Sequence, residues 1–304
     1  MKSNKERTRQ LLEMAWNTKS EARRISIANQ VLELEPYNTE ALMLKADHSH
    51  GKIDEQISLL ERAVKSLEVP GSCDESEKAF FFLVLHQRLA YAFFNAGRQA
   101  EALKACQTAL SFAQDHEEEI SLPDENKGLM KMIYYKILIE RKDWQKILID
   151  TMREDDDERT LAWAYARLAA AWAMSREDNK KTVCAPLLWD AISMSPNVPF
   201  YILNYLEEPS DEDSEEAHDE FNFALFYYDA LSFDQELYRW FARGVILFGL
   251  LSGRFDEKEY DFMIDALDNL GGYDEFLKMK EILSDTSEDM IVLETLAARK
   301  CLSN

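Results

Sequence analysis

Glycine and proline are scarce: nine glycines and seven prolines stand among 304 residues. Folds of short strands and tight turns use many more of both, so the shortage argues against a sandwich, barrel or propeller. Runs rich in Ala, Leu, Glu, Lys and Gln, all good helix formers, fill much of the chain. The class expected is all-α. Basic charge is short as well, with 35 Lys and Arg against 57 Asp and Glu and a formal net charge of −22. A nucleic-acid binder needs a basic face to displace counterions from phosphates, and an anionic membrane would repel this balance. Neither partner is expected, whereas an apolar or basic protein segment is readily accommodated.

Long apolar runs are missing too. The most apolar stretch, Val245 to Leu251, is far short of the ~20 residues that span a bilayer. The N-terminal MKSNKERTRQLLEMAW lacks the apolar core of a secretory signal. Cys73, Cys106, Cys184 and Cys301 lie far apart and form no C-x-x-C pair. Cys106 and Cys184 fall at small-residue packing positions in expected helices, which suits buried, reduced thiols and a cytoplasmic protein.

Catalytic signatures are equally sparse. No G-x-S-x-G, Walker A, G-x-G-x-x-G or H-E-x-x-H sequence occurs. Glu215 and His218 make one E-x-x-H pair, but a di-iron bundle needs two pairs and two further glutamates. Asp47, His48 and His50 gather near Asp54, a grouping better explained as a solvated helix end than as a metal centre. The run Arg153 to Glu158 lacks the glycine of a calcium loop. No enzyme activity, cofactor or metal is expected.

The periodicity predicts helical hairpins in succession. Residues 3–17 and 21–35 form the first, with Ser20 as an N-cap, and a helix opening at Thr39 and another from Ile53 to Leu67 form the second. Helices over 76–96 and 99–117 form the third, 125–140 and 143–152 a fourth, and 158–175 and 180–194 a fifth. Alanine fills the helix at 158–175, which implies close packing on two sides. The packing residues Val31, Ala63, Ala109 and Ala191 are separated by 32, 46 and 82 residues, so the hairpins are uneven in length.

After Pro196 comes NVPFYILNY and then Glu207 to Glu220, with nine acids and no Lys or Arg. Such a run repels itself and reads as a mobile linker over 201–220. Helices are expected at 217–231, 234–251, 256–270 and 272–283, with a last one near 287–301. Phe221, Phe223, Phe226, Tyr227, Tyr228 and Phe233 crowd the first of these. One helix cannot bury aromatics on every side without several covers. They form either a core where a C-terminal domain docks or a partly exposed pocket for a peptide or helix.

The stretch Leu89 to Leu110, LAYAFFNAGRQAEALKACQTAL, carries the closest resemblance to a known family. Leu89 and Ala90 form a large–small pair, Phe93 follows a turn later, Asn95-Ala96-Gly97-Arg98 makes the turn, and Ala102, Cys106 and Ala109 recur at four and three. This resembles the tetratricopeptide repeat (TPR), lacking only its bulky residue one turn before Leu89, where His86 stands. LELEPYN, Leu32 to Asn38, is similar to the end of such a repeat. Pro196-Asn197-Val198-Pro199-Phe200-Tyr201-Ile202-Leu203, with the helices carrying Ala224, Tyr228, Leu237 and Trp240, resembles a segment of bacterial relatives of the suppressor-of-tumorigenicity family.

The resemblance implies an α-α superhelix, an irregular TPR-like solenoid of about five hairpins over 1–200, and a C-terminal helical cap domain over 221–304. It implies a noncatalytic scaffold or adaptor that binds a peptide or helix in a concave groove. Carried onto this chain, the groove residues are Val84, Gln87, Tyr91 and Phe94 in the third hairpin and Arg9, Trp16, Met43, Asp47 and Trp163 in its neighbours. Chaperone-binding members clamp a carboxylate there with Lys, Asn and Arg. Met43, Asp47, Gln87 and Tyr91 offer no such cluster, so no carboxylate clamp is expected. The alternative is a self-associating regulatory protein that dimerises through the aromatic C-terminal helices.

Overall fold

Apolar residues three and four apart need a second surface to cover them, and in this chain each helix finds it in the next. The computed structural model describes residues 4–49, 51–116, 124–154 and 159–284, which are helical with turns and no strand. Its packing divides the chain into two units, 1–137 and 138–304. The expected helix near 287–301, Cys301 and the turn at 121–123 lie outside the described residues, as does most of the acidic run at 153–158.

In the first unit, α1 (Asn4–Trp16), α2 (Glu21–Leu34), α3 (Thr39–Asp47), α4 (Ile53–Ser66), α5 (Lys78–Asn95) and α6 (Gln99–Asp115) follow one another, and each packs against the next. Small side chains make this close approach available. Ala15, Ala28, Val31 and Ala41 are wholly buried with Leu12, Ile27 and Leu44 between the first two hairpins. Ala90, Ala102, Cys106 and Ala109 do the same in the third. Met130 of α7 (Asp124–Glu140) packs with Leu83, Ala109 and Ala113, and the boundary between the units falls within α7.

Local chemistry sets the turns. After α5, Gly97 takes φ +71, the Gly97 N–H donates to Phe94 O at 2.9 Å and the Arg98 N–H to Phe93 O at 2.8 Å. Both bonds satisfy carbonyls left over at the helix end, and glycine alone adopts this φ without strain. Between the first hairpins, Glu35 accepts from Thr8 at 2.9 Å and from Asn38 at 3.1 Å, while Asn38 caps α3 by accepting from the Ala41 N–H. Thr39 and Ser66 hydroxyls meet at 2.8 Å in the interior. The Pro36 break thus carries a satisfied polar layer.

The second unit is built around α9 (Leu161–Met174), which packs against α8 (Trp144–Thr151), α10 (Lys180–Met194) and α12 (Glu215–Ser232). Ten of its fourteen residues are buried, so alanine here serves packing on more than two sides. Next to α12 lie α11 (Val198–Ile202) and α13 (Gln235–Leu251), and α13 is covered by α14 (Glu257–Asn269) and α15 (Tyr273–Ser284).

Two features depart from the sequence expectation. Val198–Ile202, expected only as an apolar segment, forms a short helix that buries Phe200 and Ile202. The acidic run is helical from Glu215: Ser214 accepts from the Ala217 N–H, and Glu215 and Glu216 sit in the first turn, where the helix dipole favours anions. At its end Glu220 is buried, takes the Ser195 hydroxyl on one oxygen and accepts from Asn197 at 2.9 Å on the other.

Candidate functional site

Alternate helices of the first unit are tied directly to each other. The indole N–H of Trp16 on α1 donates to Glu40 on α3, and the guanidinium of Arg88 on α5 takes both carboxylate oxygens of Asp47 on α3. These bonds join α1 to α3 and α3 to α5. Val84 and Tyr91 lie one turn either side of Arg88 and so share its side of α5.

Exposure sorts the nine expected groove residues. Trp16 and Tyr91 are 46% and 47% exposed, Arg9 is exposed, and Val84, Phe94 and Asp47 are half-buried. Met43 and Gln87 are buried, at 4% and 9%, and offer little side-chain surface. Trp163 belongs to the second unit and is buried. Its indole N–H donates to Thr151 O at 2.9 Å, with the Arg159 and Arg167 guanidinium carbons 4.7 and 5.0 Å from its ring centroid. Ties and surface thus single out Trp16, Asp47, Val84 and Tyr91, leaving Met43, Gln87 and Trp163 to packing.

Three participants were missed in the sequence: Glu40, Arg88 and Phe80. Phe80 is 44% exposed and lies one turn before Val84. Arg88 is adjacent to the expected Gln87, and Glu40 stands seven residues before Asp47, two turns along the same side of α3. A search for opposite charges on alternate helices would have found Arg88 beside Asp47; Glu40, whose partner is the neutral Trp16 indole, carries no such signal.

The electrostatics follow from burial. Removal from water raises the Glu40 carboxyl above its ordinary value; the Trp16 hydrogen bond opposes the rise and the Glu77 charge adds to it. Burial likewise raises Asp47, against the lowering effect of Arg88 and His48. Beside them Ser49, Gly51, Ile53 and Gln56 line, with Asp47, a depression of about 270 Å³.

As for a metal, Asp47 is engaged by Arg88, His48 Nδ1 lies 3.8 Å from Glu21, and His50 is outside the described residues. Among the described residues no three His, Cys, Asp or Glu side chains are grouped to hold an ion. No described helix is long and apolar enough to cross a membrane. No known protein family, curated protein or solved structure matches the chain.

Proposed function

We propose that the chain is a noncatalytic interaction protein, with TPR-like hairpins in its first unit, that holds an apolar or basic segment of a partner along α1, α3 and α5. The observation that carries this reading is the pairing of exposed aromatic side chains with a braced backbone. Trp16 and Tyr91 stand open to solvent while the Trp16–Glu40 and Asp47–Arg88 bonds fix the helices that bear them. Large aromatic side chains anchor most interface hot spots, and a braced site loses little entropy on binding. Glu40 and Glu77 add negative potential there, which favours a cationic neighbour in the bound segment.

The test is selection from a random peptide library on the immobilised full chain, followed by calorimetry. Enriched peptides are expected to combine Lys or Arg with apolar residues. The Trp16→Ala, Tyr91→Ala double variant should weaken them by about 2–4 kcal/mol, as paired hot-spot truncations do, with an unchanged circular dichroism spectrum. Unchanged affinity in the folded double variant refutes the assignment of this face.

A further inference from the structure

Helix α12 has two nonpolar faces, and among the described residues one is buried and the other largely exposed. Phe223, Ala224, Tyr227, Ala230 and Leu231 are buried, with Phe223 stacked on Tyr227 at 4.6 Å and Tyr165 of α9 against both. Phe221, Leu225 and Tyr228, spaced four and three, lie on the other side. Leu225 is 62% exposed and Tyr228 45%, with Phe221 half-buried. The stripe continues onto neighbouring helices. The Tyr201 ring of α11 lies 5.5 Å from Phe221, and the Tyr238 ring of α13 lies 6.2 Å from Tyr228. Burial raises the Tyr238 phenol, with further contributions from Tyr228 and Tyr205.

The chain leading into α12 is acidic. Ten Asp and Glu and no Lys or Arg occur between Leu206 and Asp229. Glu207, Glu208, Asp211, Glu212, Asp213, Glu215 and Glu216 are all exposed. At the aromatic edge burial raises the Tyr201 phenol, with smaller contributions from the charges of Glu220 and Asp213. A contiguous exposed apolar stripe marks a binding surface, and tyrosine rings accept cations on their faces as well as apolar groups. A second copy of this chain would bring acid against acid, which costs affinity.

We propose that this outer face of α12 docks a protein segment that pairs an apolar anchor with Lys or Arg, the anchor on Leu225 and Tyr228 and the cations on the Glu207–Glu216 rim. The surface is separate from the face on α1, α3 and α5 and does not depend on it.

The experiment titrates three peptides of about fourteen residues into the full chain: an amphipathic Leu/Lys helix, its Leu/Glu counterpart, and a Ser/Lys peptide of the first one's charge. Leucine methyl spectra and calorimetry are the readouts. The Leu/Lys peptide is expected to shift the Leu225 methyls and bind at least tenfold more tightly than either control. The Trp16→Ala, Tyr91→Ala variant, which removes binding on α1, α3 and α5, should keep the Leu225 shifts; in that background Leu225→Ser with Tyr228→Ser should abolish the advantage, and Leu225→Lys alone should do so if the combined variant fails to fold. Changing Glu207, Glu208 and Glu212 to Gln and Asp211 to Asn should weaken binding and flatten its salt dependence; Asp213 is spared because it accepts from the Ser210 N–H at 2.7 Å.

Three results overturn the proposal: no Leu/Lys binding at millimolar peptide, equal binding of the Ser/Lys peptide, or shifts confined to leucines away from α12. Sedimentation that shows a dimer dispersed by Leu225→Ser would assign the face to a second copy and overturn it as well.

Discussion

Replacing Trp163 distinguishes a packing residue from a partner-facing one. The last carbonyls of a helix have no intrahelical partner. Thr151 ends α8, and its carbonyl is supplied by the Trp163 indole across the helix pair at 2.9 Å. The ring is 1% exposed and has two guanidinium groups within 5.0 Å of its centroid. Trp163→Ala therefore removes a large buried side chain and a hydrogen bond together, for a cost of about 3–5 kcal/mol. Trp163→Phe keeps most of the volume but strands the Thr151 carbonyl, for about 1–3 kcal/mol. With a urea slope of about 2 kcal/mol/M, the alanine variant should shift the second unit's midpoint by roughly 1.5–2.5 M and the phenylalanine variant by roughly 0.5–1.5 M. Far-UV circular dichroism in urea is the assay. A Trp163→Ala midpoint within 0.2 M of the parent would refute the packing role and return Trp163 to the surface expected from its place in the hairpin.

Other perturbations test other parts of the structure. A Cβ on Gly249 would lie 2.5 Å from the Phe255 ring and 3.0 Å from Phe200, whereas one on Gly128 meets nothing within 4 Å. Gly249→Ala should thus destabilise by about 1–2 kcal/mol net and Gly128→Ala stabilise by up to about 1 kcal/mol, and denaturation giving the same sign for both would contradict the packing. Glu40 binds its proton more readily folded than unfolded, so its contribution to stability falls as pH rises from the ordinary carboxylate range through its raised value. Glu40→Gln, which keeps an acceptor for Trp16, should gain on the parent at neutral pH and lose that gain as pH is lowered; a pH-independent difference refutes this. Burial pushes the Cys106 and Cys184 thiols up to about 12. In a Cys301→Ser background a thiol reagent at pH 8 should therefore label Cys73 alone before unfolding, and native labelling of Cys106 or Cys184 would show that they are not buried.

The helices were legible because their signals are local. Pro36 and Asn38 mark the break before α3 through backbone chemistry, Ser20 precedes α2 without a side-chain cap bond, and α2, α4, α6 and α10 stand within one or two residues of their periodic patterns. The helix Val198–Ile202 was not legible. Five residues are too few for a period of 3.6 to show, and its stability comes from burying Phe200 and Ile202. The helix expected from 217 starts two residues earlier, at Glu215, inside the acidic run. A charge run repels itself in isolation, but Ser214 and the helix dipole reverse that balance at Glu215, and Glu220 then finds donors on Ser195 and Asn197.

Surface was harder to read than helix, and the reason is the number of neighbours. Periodicity gives the side of a helix that is apolar; it does not count the elements gathered around it. Met43 lies on α3, which packs on α2 and α4 and is bonded to α1 and α5, so little of that helix is open. Trp163 lies on α9, enclosed by α8, α10 and α12. Trp16 has the same aromatic character, yet it stands at the end of α1, where α2 and the Glu40 bond leave nearly half of it in solvent. On α12 the aromatic and apolar residues divide between core and surface. Phe223 and Tyr227 meet α9 and enter the core, while Leu225 and Tyr228, two and one residues away, stay exposed, Tyr228 with one edge against Tyr238 of α13. One residue turns the side chain by about 100°, so the same aromatic-rich helix serves as core on one side and as an unpaid hydrophobic surface on the other. That surface follows directly on the most acidic stretch of the chain, Glu207 to Glu220.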